Sequence, residues 1–284
     1  MATDPQLYQA ILNRRSVRRY QPDYLDATTL ETVREQLVQA QPLVAQNQLR
    51  VLLRDVVAGE DLVAAMGTYG RVLSPPHFLL PSLLGKQRPL VDLGFRMQQL
   101  VVRLTVQDLG CCYIGTLGRE AAIRARFSLI ADAHIGAFLI FGRPATGGGQ
   151  LINSVVRQVY GSAGRLPVEK LFFKESFENP AEPPKALAAL TEAARHAPSA
   201  LNVQPWRFLW RKGVLYIFTN ADNPKYGKDP AQLYRFFDVG ICMGNLAMAM
   251  EALSIPGKWH VYEGREPEIP PYPSTLLPIA KLEL

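Results

Sequence analysis

The chain has 284 residues, a formal charge of +6 and 48% hydrophobic residues, enough apolar material for one large domain or two modest ones. Its basic residues are dispersed except for a cluster at 14–19, so the surplus reads as solvated surface and no nucleic-acid partner is expected. No apolar stretch reaches the ~18 residues of a membrane span, no secretory leader opens the sequence, and three cysteines make no disulfide framework. A cytoplasmic protein without membrane association is the expectation.

The first informative segment is Arg14-Arg15-Ser16-Val17-Arg18-Arg19-Tyr20. Its guanidinium groups offer paired donors and its serine a neutral one, a combination suited to phosphate. Residues 27–40 carry helical periodicity. After them comes Pro42-Leu43-Val44-Ala45-Gln46-Asn47-Gln48-Leu49-Arg50, a loop-like stretch leading into a strand. Residues 68–90, with Tyr69, Pro75-Pro76-His77-Phe78 and Pro81, read as a loop able to cover a neighbouring site. A helix over 92–109 carries Arg96, Gln98, Gln99, Arg103 and Gln107 among apolar residues. In Gly110-Cys111-Cys112-Tyr113-Ile114-Gly115-Thr116-Leu117, small residues allow the backbone to approach a flat ring. The vicinal cysteines read as packing. A short strand at 134–142 precedes Gly147-Gly148-Gly149, a structure-breaking run.

The proline-rich stretch 174–184 is the best linker, which divides the chain into lobes 1–173 and 174–284. A helix at 185–196 leads to Ala197-Pro198-Ser199-Ala200-Leu201-Asn202-Val203-Gln204-Pro205-Trp206-Arg207. Here Ser199 and Asn202 offer polar contacts, Pro198 and Pro205 favour extended backbone, and Trp206 reads as buried. Lys212-Gly213 joins a hairpin. Residues 238–254 form a helix apolar nearly all round, which must be buried on most sides. Residues 277–284 make a final strand.

The halves resemble each other. Asp92-Leu93-Gly94-Phe95-Arg96-Met97-Gln98-Gln99-Leu100 and Asp238-Val239-Gly240-Ile241-Cys242-Met243-Gly244-Asn245-Leu246 share Asp, Gly, Met and Leu at one spacing, and 42–50 looks like a decayed copy of 198–207. Duplication of a unit of ~140 residues accounts for this order, two fused subunits whose Asp-x-Gly helices form the seam of a pseudo-dimer.

Common catalytic chemistries are missing from the sequence. The four histidines are isolated, without metal-ligand spacing. There is no dinucleotide fingerprint, P-loop or nucleophile elbow. With no acid/base or nucleophilic constellation, a bound cofactor has to carry the reaction.

The segments at 14–20 and 197–207, with the Asp-x-Gly helix and Gly110–Leu117, resemble the FMN-dependent nitroreductase family, in a tandem-fused form. The resemblance implies an α+β fold of two half-length lobes, with helices around antiparallel-rich sheets. It also implies an FMN site shared between them. Arg14, Arg15, Ser16 and Arg18 would meet the phosphate and ribityl end, with Arg165 beside them. Pro198, Ser199 and Asn202 would come from the second lobe, and Tyr113, Gly115 and Thr116 would lie beside the ring. Residues 42–48 lack the Ser and the Pro-Trp corner, and the second half has no Arg-x-Ser-x-Arg segment, so one FMN per chain is expected. Ala163 and Ala200 stand where members with Lys and Ser have more contacts. The implied activity is hydride transfer from NAD(P)H through flavin N5 to a nitroaromatic, quinone or similar acceptor. The alternative is a flavin-storage protein that turns over slowly or not at all. Because the fused pair already buries the family's dimer surface, a monomer is expected, and no metal is implied.

Overall fold

Two long apolar helices set the architecture. The computed structural model describes residues 4–56, 73, 75–145, 164–264 and 266–284; the readings at Tyr69, Gly147–Gly149 and Ala163 lie outside them. In chain order the elements are α1 (Pro5–Asn13), α2 (Ala27–Gln39), β1 (Gln48–Asp55), β2 (His77–Leu84), α3 (Pro89–Val106), β3 (Gly110–Gly115), α4 (Glu120–Arg126) and β4 (Ala137–Gly142). They continue with β5 (Phe172–Lys174), α5 (Lys185–Arg195), β6 (Trp206–Arg211), β7 (Val214–Asn220), α6 (Tyr234–Leu253), β8 (Lys258–Val261) and β9 (Leu276–Glu283).

Local chemistry explains where the elements start and turn. Asp4 caps α1, with Pro5 at its first position, and Asp26 caps α2 by accepting the Thr29 N–H at 2.8 Å. The β6–β7 hairpin turns on Lys212 and Gly213, both at positive φ, as a two-residue turn matched to strand twist requires.

The strands form two sheets, β1-β2-β4-β3 and β5-β6-β7-β9-β8. Without β5, the second has the order β6-β7-β9-β8, the order of the first strand for strand, with α3 and α6 at matching places in the sequence. The duplicated pattern in the sequence is therefore a duplicated topology. The short β5 pairs parallel to β6 and places residues 172–174 in the second sheet.

Fourteen of the 18 residues of α3 and fourteen of the 20 of α6 are buried. They pack on each other through glycines: a Cβ on Gly94 would strike the Phe237 carbonyl, and one on Gly240 the Val91 carbonyl. The contact is reciprocal, as a pseudo-two-fold seam demands. The segment Ala231–Leu253 is long and apolar enough to cross a membrane, but 78% of its most apolar window is buried within the fold. Burial against α1, α3 and α5 makes it a core helix.

Of the polar residues read on this helix, Arg96, Gln98 and Gln99 are interior, while Arg103 is partly exposed and pairs with Glu251, and Gln107 is the C-cap. Arg96 pairs with Asp92 and donates to the Val44 and Asn47 carbonyls. Gln98 donates to Asn245 at 2.7 Å across the seam, and Gln99 exchanges hydrogen bonds with the Gln41 backbone. Each is buried with a partner, the condition for polar groups inside a core.

One expectation is corrected. The stretch read as a covering loop contains β2, a buried strand paired to β1 along its length and to β4 at its start. Pro75, Pro76 and Pro81 disguise it. Pro81 sits beyond the pairing with β4, where its missing N–H breaks no bond on that side.

Candidate functional site

The segment after α1 runs beside β3, joined by a parallel bridge of Ser16 with Cys111 and the Val17 N–H donating to the Cys111 carbonyl at 2.9 Å. That contact buries Arg14 to 6% exposure. Its Nε has no hydrogen-bond partner, and burial lowers its pKa. An interior guanidinium donor without an acceptor is costly unless an anion completes it. Arg18 lies alongside and donates to the Ser16 carbonyl at 3.4 Å, while the Ser16 hydroxyl accepts from Arg14 at 3.5 Å.

Arg165 brings the second lobe to this cluster. Its guanidinium donates to the Ala197 and His196 carbonyls at 2.8 and 2.9 Å. Burial, and then the charges of Arg14, Arg15 and Arg195, together lower its pKa to about 10. Crowded guanidiniums repel one another, and a phosphate dianion among them would relieve that repulsion. His196 Nδ1 meets the Leu12 carbonyl at 2.9 Å, tying the ends of α1 and α5 together.

The loop 197–204 is held from several sides. Asp238, near the start of α6, accepts from the Ala200 N–H at 2.9 Å and from the Tyr226 hydroxyl at 2.8 Å. Gln204 accepts from the Leu166 N–H and donates to the Gly164 carbonyl, which Asn202 also reaches at 2.8 Å. The Ser199 hydroxyl accepts the Gln204 N–H. Pro198 is half-buried and Trp206 fully buried. The backbone is not extended between the prolines: Ala200–Asn202 form a 3₁₀ turn, and Leu201, Asn202 and Gln204 all lie at φ of 51–53°. Three left-handed non-glycine residues in four positions store strain that the surrounding bonds must hold, a pattern that clusters at ligand clamps.

The end of β3 faces the first turns of α6. Tyr113 meets Phe237 edge-to-face at 5.6 Å, and its hydroxyl donates to Gln98. The Tyr234 hydroxyl accepts the Leu117 N–H at 3.0 Å and fills the space where a Gly115 Cβ would stand. Thr116 is buried, its hydroxyl committed to the Ile135 carbonyl. Cys111 and Cys112 are buried thiols pushed up by desolvation, Cys111 to about 12, which fits packing and not redox chemistry. Separately, a cleft of about 420 Å³ opens beside Asn13, Arg14, Arg15, Gln21, Asp108 and Arg143. All its walls come from lobe one, and neither Ser199 nor Asn202 borders it.

Lobe one carries the matching arrangement in altered form. Asp92 accepts the Leu43 N–H at 2.8 Å as Asp238 accepts that of Ala200. There, however, the Arg96 guanidinium lies against Asp92 and the carbonyls of Val44 and Asn47, so the loop is closed by an internal cation. Sequence reasoning missed Gln204, Tyr226, Tyr234 and Arg195 as parts of the site. The crowding of Gln204 between Asn202 and Pro205 was a usable signal, and the tyrosines had none.

The fold is that of a nitroreductase-like α+β protein. The family profile described as "Putative TM nitroreductase" matches residues 6–249, and the chain belongs to that family. Among solved structures, it resembles a "putative nitroreductase" from Thermotoga maritima MSB8, at 19% identity and a TM-score of 0.60, covering 99% of this chain and 95% of that one. It also resembles a "putative nitroreductase in complex with FMN" from Desulfovibrio desulfuricans at 21% identity and a TM-score of 0.46, over 60% of this chain and 95% of that one. Nitroreductase A from Vibrio parahaemolyticus matches at 21% identity and a TM-score of 0.44, over 50% of this chain and 69% of that one. No curated protein matches the sequence.

Proposed function

We propose that this chain is a flavin oxidoreductase that holds one FMN between its lobes. The observation that carries this reading is that Arg14, with its unpartnered buried Nε, lies close enough for its charge to lower the pKa of Arg165, which is bonded to the strained 197–204 loop of the other lobe. Arg14, Arg15, Arg165 and Arg18 would hold the phosphate end through charge-assisted bonds. Pro198, Ser199 and Asn202 would border the cofactor from lobe two, and Tyr113 and Gly115 from lobe one. When bound, FMN supplies hydride transfer between NAD(P)H and an acceptor such as a nitroaromatic or quinone. The protein orients the cofactor, limits access of water and fixes the local charge. Arg96 occupies the matching loop of lobe one, which favours one cofactor per chain. A monomer follows if the α3–α6 seam replaces the contact between two copies.

The storage reading rests on one observation: the Tyr234 hydroxyl stands over Gly115 and takes the Leu117 N–H. A side chain that stays there would narrow access to the ring. Stopped-flow mixing of FMN-loaded protein with NADH or NADPH separates the two. Loss of flavin absorbance within seconds supports the oxidoreductase, and an oxidised spectrum that persists for minutes supports storage.

A further inference from the structure

We propose that His260, Glu266 and Glu268 form a binding site for a zinc-type divalent cation on the outer face of lobe two. The three residues bring one imidazole nitrogen and two carboxylate oxygens within 4.8 Å of one another. His260 Nε2 lies 3.0 Å from Glu266 Oε2 and 3.7 Å from Glu268 Oε1. Tetrahedral zinc with bonds of ~2.0–2.1 Å to nitrogen and oxygen has ligand edges of about 3.3 Å. Two of the three edges straddle that value, and the third is no longer than 4.8 Å.

The donors are held for the purpose by different parts of the lobe. His260 lies on β8, the edge strand, while both glutamates belong to the proline-rich connection between β8 and β9. Glu266 is oriented through its other oxygen, which accepts the Glu263 N–H at 3.1 Å. Outer bonds of this kind fix ligating carboxylates in metal sites.

A second observation points to a missing ligand. Tyr262, two residues after His260 and with its ring 5.3 Å away, is fully buried, and its hydroxyl has no hydrogen-bond partner. A water on the cation's open position would give that hydroxyl its acceptor. Two cations stand near this face: Lys281, across from His260 on β9, is paired with Glu283 at 3.0 Å, and Arg88 donates to the Tyr262 carbonyl at 2.7 Å and feels the Glu263 and Glu266 charges. An imidazole with two carboxylates suits zinc better than magnesium or calcium, which favour all-oxygen sites. The bound cation would fasten the 262–275 connection to the sheet edge.

The test is calorimetric titration of ZnCl₂ into full-length protein previously dialysed against EDTA, with Co²⁺ absorption as a second readout. One zinc per chain is expected, with tetrahedral Co²⁺ bands. His260→Ala and Glu268→Gln should each weaken uptake about tenfold or more, and His134→Ala in lobe one should leave it unchanged. The substituted side chains are partly exposed, and far-UV circular dichroism checks that the variants remain folded. Absence of saturable uptake, or uptake unaffected by His260→Ala, overturns the assignment.

Discussion

Asp92 and Asp238 stand at matching places in the two lobes, and each accepts a backbone N–H from its own lobe's loop. Four residues on, lobe one has Arg96 against the carboxylate, and lobe two has Cys242. One unit, duplicated, has a charge-compensated copy and an uncompensated one. The lobe with the compensating cation has its loop closed by it; the other presents a strained loop toward Arg165.

This difference predicts a pH effect. Burial raises Asp238 from 3.8 to about 7, against the lowering from the Tyr226 and Ala200 hydrogen bonds. The folded state thus binds this proton more tightly than the unfolded chain. Stability from this group is complete below about pH 4 and is lost as pH rises through about 7, by an amount on the order of a few kcal/mol. Urea unfolding of Asp238→Asn should lack this decline between pH 4 and 7, because the amide still accepts both bonds but does not ionise. Parallel pH profiles for the variant and the wild type would contradict the assignment.

Arg96→Ala should be strongly destabilising, by ~3–5 kcal/mol, since it leaves Asp92 buried without its cation. Arg96→Ala with Asp92→Asn should recover much of that loss in denaturant melts. A single variant as stable as the wild type would show that the pair is dispensable.

The helix seam makes a symmetrical prediction. Gly94→Ala and Gly240→Ala each push a methyl into a facing backbone carbonyl, which cannot rotate away. Both should cost ~1–3 kcal/mol or more, by equal mechanisms. Thermal unfolding of the two variants should show similar losses, and a neutral result at either position would refute the close packing.

Much of this organisation was legible in the sequence. The Asp-x-Gly repeat gave the seam, because a helix apolar on all sides has to be buried on all sides. Lys212-Gly213 gave the hairpin, and the Pro-Ser-to-Pro-Trp stretch gave the second-lobe loop. What stayed hidden depends on tertiary contact. The left-handed turn at Leu201–Gln204 exists because Asp238 and Gly164 hold it, not because its residues prefer it. The β2 strand was masked by prolines that its pairing tolerates. Tyr234 and Tyr226 had no sequence signal, since nothing in the pattern around them pointed to Leu117, 117 residues away, or to Asp238 as partners.

The cationic cluster should discriminate by phosphate. Arg14→Ala and Arg165→Ala should each weaken FMN binding by ~1.5–3 kcal/mol, the loss of a charge-assisted contact, while riboflavin, without phosphate, should bind them as it binds the wild type. Asn202→Ala should lower flavin affinity from the opposite lobe. Fluorescence titration of both flavins checks all three, and equal losses for FMN and riboflavin in the arginine variants would remove the phosphate role.

The central claim is that one lobe's cations and the other lobe's loop make a single cofactor site, and the number of FMN molecules bound measures it most directly. Titration of the flavin-free chain, followed by absorbance and calorimetry, should saturate at one FMN per chain. Two per chain would mean that Arg96 does not close the first lobe's loop, and none would mean that Arg14 and Arg165 serve some other anion.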